Sequence, residues 1–161
     1  MLVLLTILAQ AVPPSRLAKA EIWFDARASV ADFQGRTTRA MSDGKSVEVR
    51  WEDIDTKNGT RNRHMLKTVD AEHFPLIRFE LAEATGDTGA VHLKGTLTLH
   101  GVSQPVDWPA EIRSTGDTIT VSADFPVDMR DFGIKPPVRF VIARMGAVVM
   151  VHVRLVLARY S

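Results

Sequence analysis

The chain contains no cysteine. Disulfides, thiolate catalysis and Cys-ligated zinc or iron–sulfur sites are therefore excluded. Charge of one sign is lacking too: 20 Lys and Arg face 19 Asp and Glu, a formal net charge of +1. Arg is scattered, and no run of five or more like charges occurs. A nucleic-acid partner, which favours a concentrated basic face, is not expected. No apolar run reaches the roughly 20 residues that span a bilayer as a helix, so no stable membrane span is expected. Neither a Gly-x-Ser-x-Gly elbow nor a Walker loop is present. The His residues stand at 64, 73, 92, 100 and 152, with no His-Glu-x-x-His spacing. His92 and His100 share an outward row, about 26 Å apart by strand rise, too far to share an ion. No metal and no cofactor are expected.

What is there suits one folded domain. The 161 residues are 45% hydrophobic and 24% charged, an ordinary globular profile that can bury a core. The chain opens with an apolar run, Leu2 to Leu8, broken only by Thr6. Ala9-Gln10-Ala11 then fits a small-x-small cleavage pattern, and Pro13-Pro14 follows. These residues are expected to be a secretory signal over 1–11, although no Lys or Arg precedes the run. A cleaved signal implies export, so the expected location is periplasmic or secreted. The alternative is a hydrophobic first strand or helix of the domain, which covers 15–161.

From Glu21 onward the period is two, the strand period. Ile22, Phe24, Ala26 and Ala28 form one apolar row. Val47, Val49 and Trp51 form a second; Ile77, Phe79 and Leu81 a third; Val91, Leu93, Gly95, Leu97 and Leu99 a fourth. Ile119, Val121, Ala123 and Phe125 form a fifth, and Val149, Val151, Val153, Leu155 and Leu157 a sixth. Polar residues fill the alternate positions, so each strand has one face for a core. Turn signals separate the rows: Ser42-Asp43-Gly44, Lys57-Asn58-Gly59, Thr85-Gly86-Asp87, Thr115-Gly116-Asp117 and Lys135-Pro136-Pro137. Asn62 to Val69 reads as the one short helix. The fold class is all-β, a single antiparallel barrel of about eight strands. A barrel is preferred to a sandwich because long proline-free strands would leave sticky edges, and closure removes them.

Four motifs stand in a fixed order. Asn58-Gly59-Thr60-Arg61-Asn62-Arg63-His64-Met65 resembles the Gly-x-x-Arg-Asp-x-His-hydrophobic signature of the YceI-like family. His73-Phe74-Pro75-Leu76-Ile77-Arg78-Phe79 resembles its Phe/Tyr-Pro-x-Ile-x-Phe segment. Gly95-Thr96-Leu97-Thr98-Leu99-His100-Gly101-Val102 is similar to its Gly-x-Leu-Thr-hydrophobic-His-Gly-Val hairpin. Asp131-Phe132-Gly133-Ile134 resembles its Asp-Phe-Gly-Ile segment. The likeness runs from about Phe24 to Leu157. Asn62 departs from it, standing where the family commonly has Asp, and the stretch from Gly35 to Val47 is short.

The resemblance implies a lipocalin-like barrel that holds a polyisoprenoid or isoprenoid-quinone chain in a central tunnel as a periplasmic carrier or store. An isoprenoid needs an apolar tube, and each buried methylene contributes about 0.8 kcal/mol. The inward rows nominate Phe24, Val49, Trp51, Ile77, Phe79, Leu97, Leu99, Val121, Phe125, Val151 and Val153 as lining, or equally as a solid core. Arg61, Arg63 and His64 are the headgroup candidates, since guanidinium forks suit a polar or pyrophosphate head; a solvated helix face reads the same way. His100 is expected to stabilise its turn, and Asp131, Phe132 and Gly133 to shape a bend. Asp124 and Asp128 alternate outward, so no catalytic residue is assigned and the expectation is a non-enzyme. Two rivals remain: a barrel-shaped enzyme on a small hydrophobic substrate, and a partner-binding module with a filled core and a cavity under about 300 Å³. The expected partner is isoprenoid lipid; monomer and homodimer both stay open.

Overall fold

The computed structural model describes residues 15–87, 89–136, 138–139 and 143–159. The expected signal over 1–11 lies outside the described residues. Strands are β1 (Ser15–Ala26), β2 (Phe33–Thr37), β3 (Met41–Ser42) and β4 (Ser46–Arg50). Helix α1 (Gly59–Thr68) follows, then β5 (Leu76–Gly86), β6 (Ala90–Leu99), β7 (Val102–Thr115) and β8 (Thr118–Asp128). The chain closes with β9 (Val138–Arg139), β10 (Ala143–Arg144) and β11 (Val148–Arg159). Short 3-10 turns cover Trp51–Asp53 and Met129–Phe132.

Nine strands make one curled antiparallel sheet in the order β2-β1-β11-β8-β7-β6-β5-β4-β3, and β9 pairs with β10 apart from it. The period-two rows fall on the concave face. Phe24 stands opposite Val151, Val151 opposite Phe125, and Phe79 opposite Leu97. The cross-strand pairs thus bring rows from distant sequence together as one apolar lining. Trp51 is buried but belongs to a 3-10 turn, and Ala28 lies past β1, bridged to Met145. No helix among the described residues is long and apolar enough to cross a membrane.

Closure is incomplete. The end strands β2 and β3 do not pair with each other. They are short, 5 and 2 residues, which limits the exposed edge. Within β2, Arg36 exchanges reciprocal backbone hydrogen bonds of 2.9 Å with Asp55. The short passage at 38–40 carries the chain from one end of the sheet to the other.

Three local details follow from side-chain chemistry. Helix α1 begins at Gly59, earlier than the periodicity suggests, because the Asn58 side chain accepts from the Arg61 backbone N–H at 3.0 Å. Strand β7 carries Pro105 and Pro109 ahead of its ladder with β8, which begins at Ala110, so the missing N–H groups cost little. At the β6–β7 turn His100 takes φ +53°, and its Nδ1 lies 2.9 Å from the Phe132 carbonyl. That contact ties the turn to the Met129–Phe132 bend, which Gly133 ends in the left-handed region at φ +70°.

Candidate functional site: an apolar lumen under a helix

The barrel is hollow. A cavity of about 470 Å³ occupies its interior. All eleven nominated apolar side chains, Phe24, Val49, Trp51, Ile77, Phe79, Leu97, Leu99, Val121, Phe125, Val151 and Val153, stand on its wall. The inward rows meet there because antiparallel register keeps them on one face.

Aromatic rings shape the wall. Trp108 and Phe125 stack with centroids 3.6 Å apart, and Phe79 sits 5.1 Å from Trp108. Phe24 meets Phe33 edge-on at 6.2 Å. Trp108 was missed in the periodicity because its strand holds two prolines, and Phe33 because β2 is so short.

Helix α1 lies against the cavity. Its positions 61, 64, 65 and 68 recur at helical spacing and put Arg61, His64, Met65 and Thr68 on the wall. The Arg61 guanidinium lies 4.5 Å from the Phe33 ring centroid and donates to the Thr56 carbonyl at 3.2 Å. Arg63, also nominated for a headgroup, is exposed, donates to Thr60 Oγ1 at 3.1 Å and is absent from the wall. Asn62 holds the helix down. Its Oδ1 accepts from Thr56 N at 2.9 Å and Thr56 Oγ1 at 2.6 Å, and its Nδ2 donates to Asp55 at 2.9 Å. That donation, followed by the Lys57 backbone N–H, keeps the Asp55 carboxyl below its usual value. An aspartate at 62 would lack the donor.

Arg61 and His64 are the ionisable wall residues among those described, and no carboxylate joins them. Nor do three His, Asp or Glu side chains converge as a metal site among the described residues. Asp128 turns outward to Arg130, 2.7 Å away.

Asp124 also faces outward, into a network that alternation alone did not reveal. His152 bridges three strands: Nδ1 lies 2.6 Å from Asp124 on β8, and Nε2 lies 2.7 Å from Asp25 on β1. Arg154 reaches Asp124 at 3.0 Å, and Trp23 stacks on the imidazole at 4.9 Å. Arg36 and Arg154 each lie over the Trp23 ring, at 4.7 and 5.3 Å. Burial opposes charge on His152, but its two carboxylates outweigh burial and raise its pKa. Burial likewise opposes charge on Asp124, and its hydrogen bonds from His152 and Arg154 win, lowering its pKa. This network clasps the outer wall behind Val151 and Val153.

Known proteins share this fold. The Burkholderia cenocepacia protein BcnA superposes with a TM-score of 0.72 at 15% identity, over 85% of this chain and 95% of that one. A polyisoprenoid binding domain from Saccharophagus degradans gives 0.70 at 14%, over 92% and 99%. At these identities the likeness is one of fold, the lipocalin-like antiparallel barrel. In sequence, a Pseudomonas aeruginosa UPF0312 protein is 26% identical over 116 residues, 65% of this chain and 61% of that protein. Protein YceI of Escherichia coli O157:H7 is 25% identical over 116 residues, with the same shares. The chain thus spans about three fifths of the length of the curated relatives it matches. The YceI-like domain profile matches residues 16–157, which take in the barrel strands, helix α1 and the whole described lumen; this chain belongs to the YceI-like family.

Proposed function

We propose that this protein binds a polyisoprenoid or isoprenoid-quinone lipid, with the prenyl chain in the lumen. One observation carries the reading: a cavity of about 470 Å³ whose wall is apolar apart from a patch on α1. Such a volume falls within the range of small-molecule sites and above that of a filled core. If each carbon takes about 30 Å³, the liquid-phase share of a water molecule, an isoprene unit fills roughly 150 Å³. About three units then fit inside, and a longer chain continues out of the mouth. Burying about fifteen carbons contributes on the order of 12 kcal/mol before the costs of association. The similarly folded Saccharophagus degradans protein is a polyisoprenoid binding domain, which supports the same ligand class.

Arg61 and His64 orient the polar head at the mouth, Arg61 being positioned by Phe33 and Thr56. A wall without a carboxylate favours binding over catalysis. In this reading the apolar run Leu2 to Leu8 directs export, and the protein works in the periplasm as a carrier or store of lipid that water does not dissolve.

Trp51 and Trp108 stand on the wall, so their fluorescence reports occupancy. Titrating delipidated protein with a prenyl quinone is expected to give saturable quenching. No saturable change with any prenyl quinone or prenyl phosphate would overturn the assignment.

A further inference from the structure

We propose that Gly35 sets how long a chain the lumen accepts, by providing a recess for the Phe24 ring; the inference rests on the lipid-binding reading above. Gly35 on β2 stands directly opposite Phe24 on β1. A methyl group at position 35 would lie 2.3 Å from Phe24 Cε1, 2.5 Å from Phe24 Cζ and 2.9 Å from Ile54 Cγ2. The ring therefore lies folded over the glycine, in space that any other residue would fill. Gly35 is not in the left-handed region, so the glycine supplies room and not an unusual backbone angle.

Phe24, Gly35 and Ile54 all stand on the cavity wall. Every clashing atom at position 35 belongs to a side chain, so the strand can keep its register while the ring gives way. Phe33 holds the ring edge-on from one side, and the open side is the lumen. Gly95 offers the contrast. A methyl there would meet the Glu80 carbonyl oxygen at 2.2 Å, so that glycine is a requirement of the β5–β6 pairing. Gly35 is the glycine whose loss is felt by the cavity and not by the ladder.

The size of the effect follows from carbon count. A phenyl ring has about as many carbons as one isoprene unit. Swung into the lumen, the Phe24 ring displaces about one of the roughly three units that fit. With about five carbons no longer buried, affinity for a chain that fills the wild-type lumen is then expected to fall by up to about a thousandfold. A chain one unit shorter is expected to bind as before.

The test titrates wild type, Gly35→Ala, Phe24→Ala and the double variant with geraniol, farnesol and geranylgeraniol, following tryptophan fluorescence, with thermal melting as the fold check. Wild-type affinity is expected to rise up to farnesol and then level off. Gly35→Ala is expected to level off at geraniol, and the double variant to regain farnesol. Equal length profiles for wild type and Gly35→Ala overturn the inference. A double variant as weak as Gly35→Ala also overturns it, because the defect then lies in the strand and not in the ring. Should Gly35→Ala not fold, Phe24→Ala decides: levelling off moves to geranylgeraniol, or the inference fails. Wild type that binds none of the alcohols overturns the lipid reading, and this inference falls with it.

Discussion

Replacing His152 with glutamine removes the charged centre of the clasp that joins β1, β11 and β8. The imidazole is 19% exposed, and the Asp124 and Asp25 carboxylates that it bonds are 51% and 44% exposed. Partly exposed ion pairs are worth about 0.2–1 kcal/mol each after solvent screening. Two short pairs on a mostly buried ring reach the upper end, so the loss is about 1–2 kcal/mol. For a domain of this size that lowers Tm by roughly 2–8 °C. The pH dependence has a definite sign. Burial pulls the imidazole down, but the carboxylates hold its folded-state pKa above the ordinary 6.5. Its contribution is fully present below pH 6.5 and fades as pH rises through the folded-state value. Asp124 is pushed up by burial, yet held below 3.8 by His152 and Arg154. Its contribution is present above pH 3.8 and fades as pH falls through its folded-state value. The stability gap between wild type and His152→Gln is therefore greatest between pH 3.8 and 6.5. Thermal melting followed by circular dichroism from acid to alkaline pH measures it. A gap that widens as pH rises above 6.5, or stays constant from acid to alkaline pH, would refute the reasoning.

Trp108→Ala removes the ring stacked on Phe125 and touching Phe79, and is expected to cost about 3 kcal/mol or more in urea unfolding. Trp51→Phe is expected to change stability by less than about 1 kcal/mol: Trp51 Nε1 is buried without a hydrogen-bond partner, and removing that donor offsets the lost ring volume. Asn62→Ala takes away the first cause of the low Asp55 pKa, so carboxyl-detected NMR is expected to show Asp55 titrating at higher pH. Arg61→Ala is expected to weaken binding of a prenyl phosphate several-fold more than Arg63→Ala, because Arg61 is on the cavity wall and Arg63 is not.

The inward rows were legible because alternation is a one-dimensional signal: Phe79, Leu97, Phe125 and Val151 announce their face without reference to any partner. Hollowness was not legible, since the same row reads identically over a void and over a solid core. The void depends on cross-strand detail, such as Phe24 lying over Gly35. Strand β7 escaped notice because Pro105 and Pro109 interrupt it, although both sit ahead of the β8 ladder. Helix α1 was placed late because its first turn is set by the Asn58 cap and not by apolar spacing. The His152 clasp joins residues as far apart as Asp25, a pairing that only the register creates. Arg61 and Arg63 look alike in sequence, and the helical turn alone separates the wall from the solvent face.

Native mass spectrometry of protein purified gently from cells tests the lumen assignment most directly. The account predicts an added mass equal to a prenyl lipid, lost on delipidation and restored by incubation with a prenyl quinone. A bare polypeptide mass, together with delipidated protein that takes up no prenyl quinone or prenyl phosphate, would contradict it.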